Sequence, residues 1–142
     1  MNTGADQSIA TNLTSINAGW AGGTGGNGYG INCVGATTEL MVNGFYVLGA
    51  ARNGVNQSDS GSGLKLLNGI VKYSAAGGVK STNSSLQCTN VVSKYNVGED
   101  FEPAGTTVMH LINCEDTRGF PLNNERVITT SRNEQPVQSL RV

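Results

Sequence analysis

The chain reads as all-β, a small antiparallel sandwich or barrel-like domain with an extended Gly-rich N-terminal arm. Three observations lead there. An Asn-Gly pair between two apolar runs is the strongest short-range hairpin signal, and it occurs twice. Asn43-Gly44 lies between Glu39-Leu40-Met41-Val42 and Phe45-Tyr46-Val47-Leu48; Asn68-Gly69 lies between Leu64-Lys65-Leu66-Leu67 and Ile70-Val71-Lys72-Tyr73. Composition is the second observation. Of 142 residues only 13% are charged, against roughly a quarter in ordinary domains. Gly, Asn, Ser and Thr fill the difference, which suits short strands and many tight turns. The third is the β-branched and apolar content of 86–97 and 106–114.

Residues 1–38 differ from the rest. They carry one charge, Asp6, and few large apolar groups. Ile9, Leu13 and Ile16 fall at i, i+4 and i+7, a spacing that admits a short amphipathic helix over 8–18. The segment 19–30 has seven glycines in twelve positions. Ordering so much glycine costs much entropy and buries little. The expectation is an arm that orders on a neighbouring subunit, with Trp20 and Tyr29 as anchors. The alternative is a loop whose aromatics cap their own domain. The run lacks the Lys-Ser/Thr of a phosphate-binding loop, and its glycines do not form a dinucleotide fingerprint.

The β domain is expected over 39–130. Both Asn-Gly pairs predict hairpins, because Asn and Gly tolerate the positive φ of a type I′ turn. Residues 52–63 read as a loop and Val79-Lys80 as the start of an edge strand. The segment 86–97 reads as a strand with Leu86, Cys88 and Val92 on one face. Residues 98–105 read as an acidic turn. The nearly continuous apolar run 106–114 predicts a central strand buried on both faces. A last strand is expected over 125–130. Residues 131–142 form a polar tail, whose Val137, Leu140 and Val142 can dock on a partner or add an edge strand. The two Asn-Gly copies are 25 residues apart (68 minus 43). Two copies are too few for a solenoid, so they are read as two hairpins of one sheet system.

Candidate chemistry is sparse. The one histidine, His110, sits mid-strand and reads as a buried structural residue. The acidic groups Glu99-Asp100-Phe101-Glu102 and Glu115-Asp116 lie in expected turns, where solvated carboxylates are the norm. Cys33, Cys88 and Cys114 read as buried thiols; one disulfide with a free thiol is the alternative. They lack the close Cys-x-x-Cys spacing of a zinc site. No cofactor and no catalytic residue is expected. A net charge of −1 with scattered Lys and Arg argues against nucleic acid. No apolar run is long enough for a membrane helix, and the first ten residues are not a signal peptide.

Composition and layout together resemble the capsid decoration, or cement, proteins of tailed bacteriophages. The resemblance implies a non-enzymatic virion protein on the capsid surface, made in host cytoplasm. It also implies a homotrimer that clamps neighbouring major capsid subunits with 1–30 and 131–142. A fibre or lectin-like binding module and a tail-tube or head-completion subunit are the alternatives.

Overall fold

In the computed structural model the described residues are 8–19, 28–34, 39–58, 63–117, 119, 125–129 and 135–136. Eight non-glycine residues among them hold positive φ: Asn12, Asn17, Asn68, Tyr73, Asn83, Asn90, Tyr95 and Asn113. One left-handed residue between extended segments bends the chain and breaks the alternation of side chains. These residues recur at fixed places because the chain winds in coils.

The elements are β1 Ser8–Ile16, β2 Ile31–Val34, β3 Glu39–Leu48, β4 Val55–Ser58, β5 Gly63–Lys72, β6 Val79–Thr82, β7 Ser85–Lys94, β8 Phe101–Ala104, β9 Val108–Ile112, β10 Glu125–Thr129 and β11 Gln135–Pro136. A seven-stranded sheet has the order β1-β3-β5-β7-β9-β10-β11, and a four-stranded sheet the order β2-β4-β6-β8. All pairs from β1 to β9 are parallel. Only β9–β10 and β10–β11 are antiparallel. No helix occurs among the described residues. The result is β-solenoid-like: each coil supplies one long and one short strand, and successive coils stack in register.

The antiparallel sandwich or barrel is therefore corrected to a parallel, coiled arrangement. Neither Asn-Gly pair closes a hairpin. Asn43-Gly44 and Asn68-Gly69 lie inside the unbroken strands β3 and β5. In register, Gly44 stands beside Asn12 and Asn68, and Asn90 and Asn113 continue the column. Gly44 has φ +71° and the four asparagines +51° to +55°. The positive φ was read correctly, but it makes a corner and not a reversal. A second corner column is Asn17, Gly49, Tyr73 and Tyr95; a third pairs Asn83 with Gly105.

The corner also shifts the buried face. In β5 and β7 burial falls on the second, fourth, seventh and ninth residues, so strict alternation skips a step at Asn68 and Asn90. This places Val91 and Ser93 inside and turns Val92 outward, against the expectation for 86–97. Inward columns stack like with like: Leu40, Leu64, Leu86 and Met109, and beside them Val42, Leu66, Cys88 and Leu111. Burying each such side chain stabilises the fold by about 1.5–3 kcal/mol. The ring of Phe45 lies where a β-carbon on Gly69 would be, so the second Asn-Gly owes its glycine to close packing.

Other expectations change with the coil. Residues 8–18 are not helical: 8–16 form β1, parallel to β3, so Ile9, Leu13 and Ile16 obey strand geometry. The expected arm supplies the first strand of each sheet, β1 and β2. The expected loop 52–63 contains β4, and β6 lies between β4 and β8, not at an edge. The acidic turn contains β8. These short strands were hidden because Asn56-Gln57-Ser58 and Lys80-Ser81-Thr82 lack apolar alternation. Their polar interior is satisfied locally, for Ser81 Oγ donates to Gln57 Oε1 at 2.7 Å. The segment 106–114 is not buried on both faces; Val108 and His110 point out.

Candidate functional site

The residues sought at the sequence level do not converge. Ile9 and Ile16 are exposed at 69% and 56% on β1, while Leu13 packs partly against the core. Trp20, Val137, Leu140 and Val142 lie outside the described residues. Tyr29 is half-buried; its hydroxyl accepts from Arg52 Nη1 at 3.2 Å, and the guanidinium lies 5.6 Å from the ring centre. His110 is exposed on β9, which corrects the buried structural reading.

The acids are engaged. Glu102 pairs with Lys80 at 2.6 Å, and Asp100 accepts from the Asn96 amide at 2.8 Å and the Thr117 N–H at 2.8 Å. Glu115 pairs with Lys94, whose pKa is raised chiefly by that hydrogen bond. Asp116 and Arg126 form a buried ion pair at 2.9 Å. Among the described residues no three His, Cys, Asp or Glu gather to hold a metal. All three cysteines are free. Burial pushes the Cys33 thiol up to about 11 and raises Cys88 and Cys114, so none is a ready nucleophile at neutral pH.

Two features stand out in their place. One is the outer edge of β1. No described strand pairs with it, so a row of backbone donors and acceptors faces outward between Ile9 and Ile16.

The other is the second corner column. Tyr73 and Tyr95 hold φ +58° and +60°. Their rings stack with centroids 5.6 Å apart and planes 19° from parallel. They are 56% and 51% exposed. A bulky residue in this backbone region costs about 1–3 kcal/mol, whereas an aromatic pair returns about 0.5–1.5 kcal/mol in all. The same corner in the first two coils carries Asn17 and Gly49, which adopt that backbone readily. Stability alone therefore favours Asn or Gly, and the tyrosines need another explanation. Beside them Lys72 and Lys94 are register neighbours. Lys94 has Glu115; no ion pair among the described residues engages Lys72. On the other side of Tyr73 stands Gly49, with Asn17 Oδ1 2.6 Å from where its β-carbon would be.

Sequence reasoning passed over this corner. Its signal was a repeated Lys-Tyr pair, Lys72-Tyr73 and Lys94-Tyr95, 22 residues apart (95 minus 73). That equals the offset between β5 and β7 (85 minus 63).

No family profile, curated protein or solved structure matches this chain.

Proposed function

We propose that this chain is a non-enzymatic structural protein that attaches to a larger protein assembly through the open edge of β1, as a capsid decoration protein would. The observation that carries this reading is the β1 edge, which no other strand among the described residues pairs, flanked by exposed Ile9 and Ile16. A partner strand added there gains main-chain hydrogen bonds, and the two isoleucines add apolar contact and register. An exposed edge of nine residues is otherwise a liability that proteins usually blunt with Lys, Pro or a covering element. β1 itself carries neither charge nor proline. The parallel coil changes the form of the attachment. Strand addition at one end replaces the clamping arm, since β1 belongs to the body.

The test is cosedimentation of wild-type protein and an Ile9→Lys/Ile16→Lys variant with capsids lacking this chain. Both side chains are exposed, so the variant keeps its fold. Loss of binding by the variant alone is the expected result. Equal binding by both proteins overturns the edge assignment, and capsids equally heat-resistant with and without the wild-type chain overturn the stabilising role.

A further inference from the structure

We infer that in the free protein the β1 edge is covered by a second copy of this chain, in a two-fold contact that pairs β1 antiparallel with itself. The inference rests on the open edge of the proposed attachment and names what covers that edge before the chain meets an assembly. β1 reads nearly the same in both directions. Within 9–16, Ile9 matches Ile16, Ala10 matches the small Ser15 and Thr11 matches Thr14, with Asn12 and Leu13 at the middle. A two-fold contact needs such a surface, because a residue that meets another must be met by it in return.

The fold puts the matched residues on matching faces. Ile9, Thr11, Thr14 and Ile16 are exposed, whereas Ala10 and Leu13 pack on the core and Ser15 is half-buried. Directly opposite residues of an antiparallel pair share a face. With the axis between Asn12 and Leu13, exposed Ile9 stands opposite exposed Ile16 of the second copy, and Thr11 opposite Thr14. Inward Ala10 likewise stands opposite inward Ser15. A shift of one residue sets outward side chains against inward ones. The corner at Asn12, with φ +54°, makes the match possible. It breaks strict alternation, so outward positions are odd-numbered before it and even-numbered after it. The corners of the two copies fall one residue apart across the axis, so the two strands bend at nearly the same place.

β1 carries no charge, so no like charges oppose each other, and cross-strand threonine pairs are favourable. Stacking head to tail lacks this complementarity. The outermost described strand at the other end is Gln135–Pro136, and proline has no N–H to give a neighbour. An uncharged edge otherwise invites indiscriminate pairing, and self-pairing covers it in one register. A contact one strand wide is small, so the dimer is expected to dissociate below about 10 µM. Stability in dilute protein is then that of the monomer, and an assembly that offers a strand displaces the second copy.

Sedimentation velocity on the full chain in reducing buffer, from about 5 to 500 µM, tests this. Wild-type protein is expected to pass from monomer to dimer and no further. Ile9→Lys/Ile16→Lys sets lysine against lysine in both pairs and is expected to weaken the dimer by about tenfold or more. Ile9→Lys/Ile16→Glu sets lysine against glutamate and is expected to dimerise more tightly than the double-lysine variant by a similar factor. Both positions are exposed, so both variants fold. A monomer throughout the range overturns the inference. So does a trimer, an open ladder of oligomers, or a double-lysine variant that dimerises like wild type. Equal weakening in the two variants also overturns it, since only antiparallel pairing brings the opposite charges together. Cosedimentation separates the two claims. A wild-type monomer that binds capsids removes the dimer and keeps the attachment; a wild-type dimer that ignores capsids keeps the dimer and removes the attachment.

Discussion

The two ends of the coil stack are built differently. At the C-terminal end β10 runs antiparallel to β9 and β11 antiparallel to β10, with Ile128 beside Met109 and Arg126 beside Leu111. Arg126 is 1% exposed in a column that is otherwise apolar. Its charge is met by Asp116, which extends the inward column of Val47, Val71 and Ser93, and its guanidinium lies 5.9 Å from the centre of the Phe101 ring. At the N-terminal end the inward positions of β1 carry Ala10, Leu13 and Ser15, while two of its three large apolar residues, Ile9 and Ile16, point outward. One end holds a buried ion pair. The other offers backbone and isoleucine to whatever comes next. The ion pair and the adhesive edge are thus assigned to opposite ends by which residues face the coil interior.

The largest effect is expected at the C-terminal end. Arg126→Ala leaves Asp116 buried without its cation and should cost about 3–5 kcal/mol in urea unfolding. Replacing both partners, as Arg126→Met with Asp116→Leu, should recover most of that loss. A mild effect of Arg126→Ala would mean that the two ends differ less than the ion pair implies. Between the ends, Gly69→Ala drives a methyl into the Phe45 ring and should cost about 1–3 kcal/mol, measured the same way. The tyrosine corner should respond in the opposite sense. Tyr73→Asn/Tyr95→Asn relieves two strained backbones and should raise stability by about 1 kcal/mol in thermal unfolding. A loss there would show that the stack is structural.

The cysteine thiols give a smaller, pH-dependent effect. The Cys33 pKa rises in the folded protein from 9.0 to about 11. Its contribution is complete below 9.0 and is lost as pH climbs through about 11, because the unfolded chain ionises first. Unfolding midpoints should fall across that window, and Cys33→Ser should flatten the fall. At the open end the smallest effect is expected. Ile9→Lys/Ile16→Lys should change stability by less than about 0.5 kcal/mol. A large loss would mean that these side chains are covered and that β1 is not a free edge.

The β character of the chain was legible, and so were the positions of β3, β5, β7, β9 and β10. Strand direction was not, for a local reason. Asn and Gly mark positive φ in a hairpin turn and in a solenoid corner alike, and the difference lies in which strand each segment meets. Aligning the two Asn-Gly pairs gives 25 residues, while β3 and β5 are offset by 24 (63 minus 39). The pairs are one step out of phase: Gly44 holds the first corner and Asn68 the second. The visible repeat therefore concealed the structural one. The Lys-Tyr pairs carry the true offset of their own coils, but with two chemically unlike residues, Asn17 and Gly49, above them. The short second-sheet strands escaped because hydrogen bonds between polar side chains, such as Asn56 to Asn32 at 2.8 Å, line their rungs.

Direct evidence on strand direction comes from interstrand backbone contacts at Lys65, read by nuclear Overhauser spectroscopy. The parallel coil predicts contacts from Lys65 to Met41 on one side and to Gln87 on the other. Contacts from Lys65 to Lys72, the pairing of a hairpin folded at Asn68-Gly69, would contradict it.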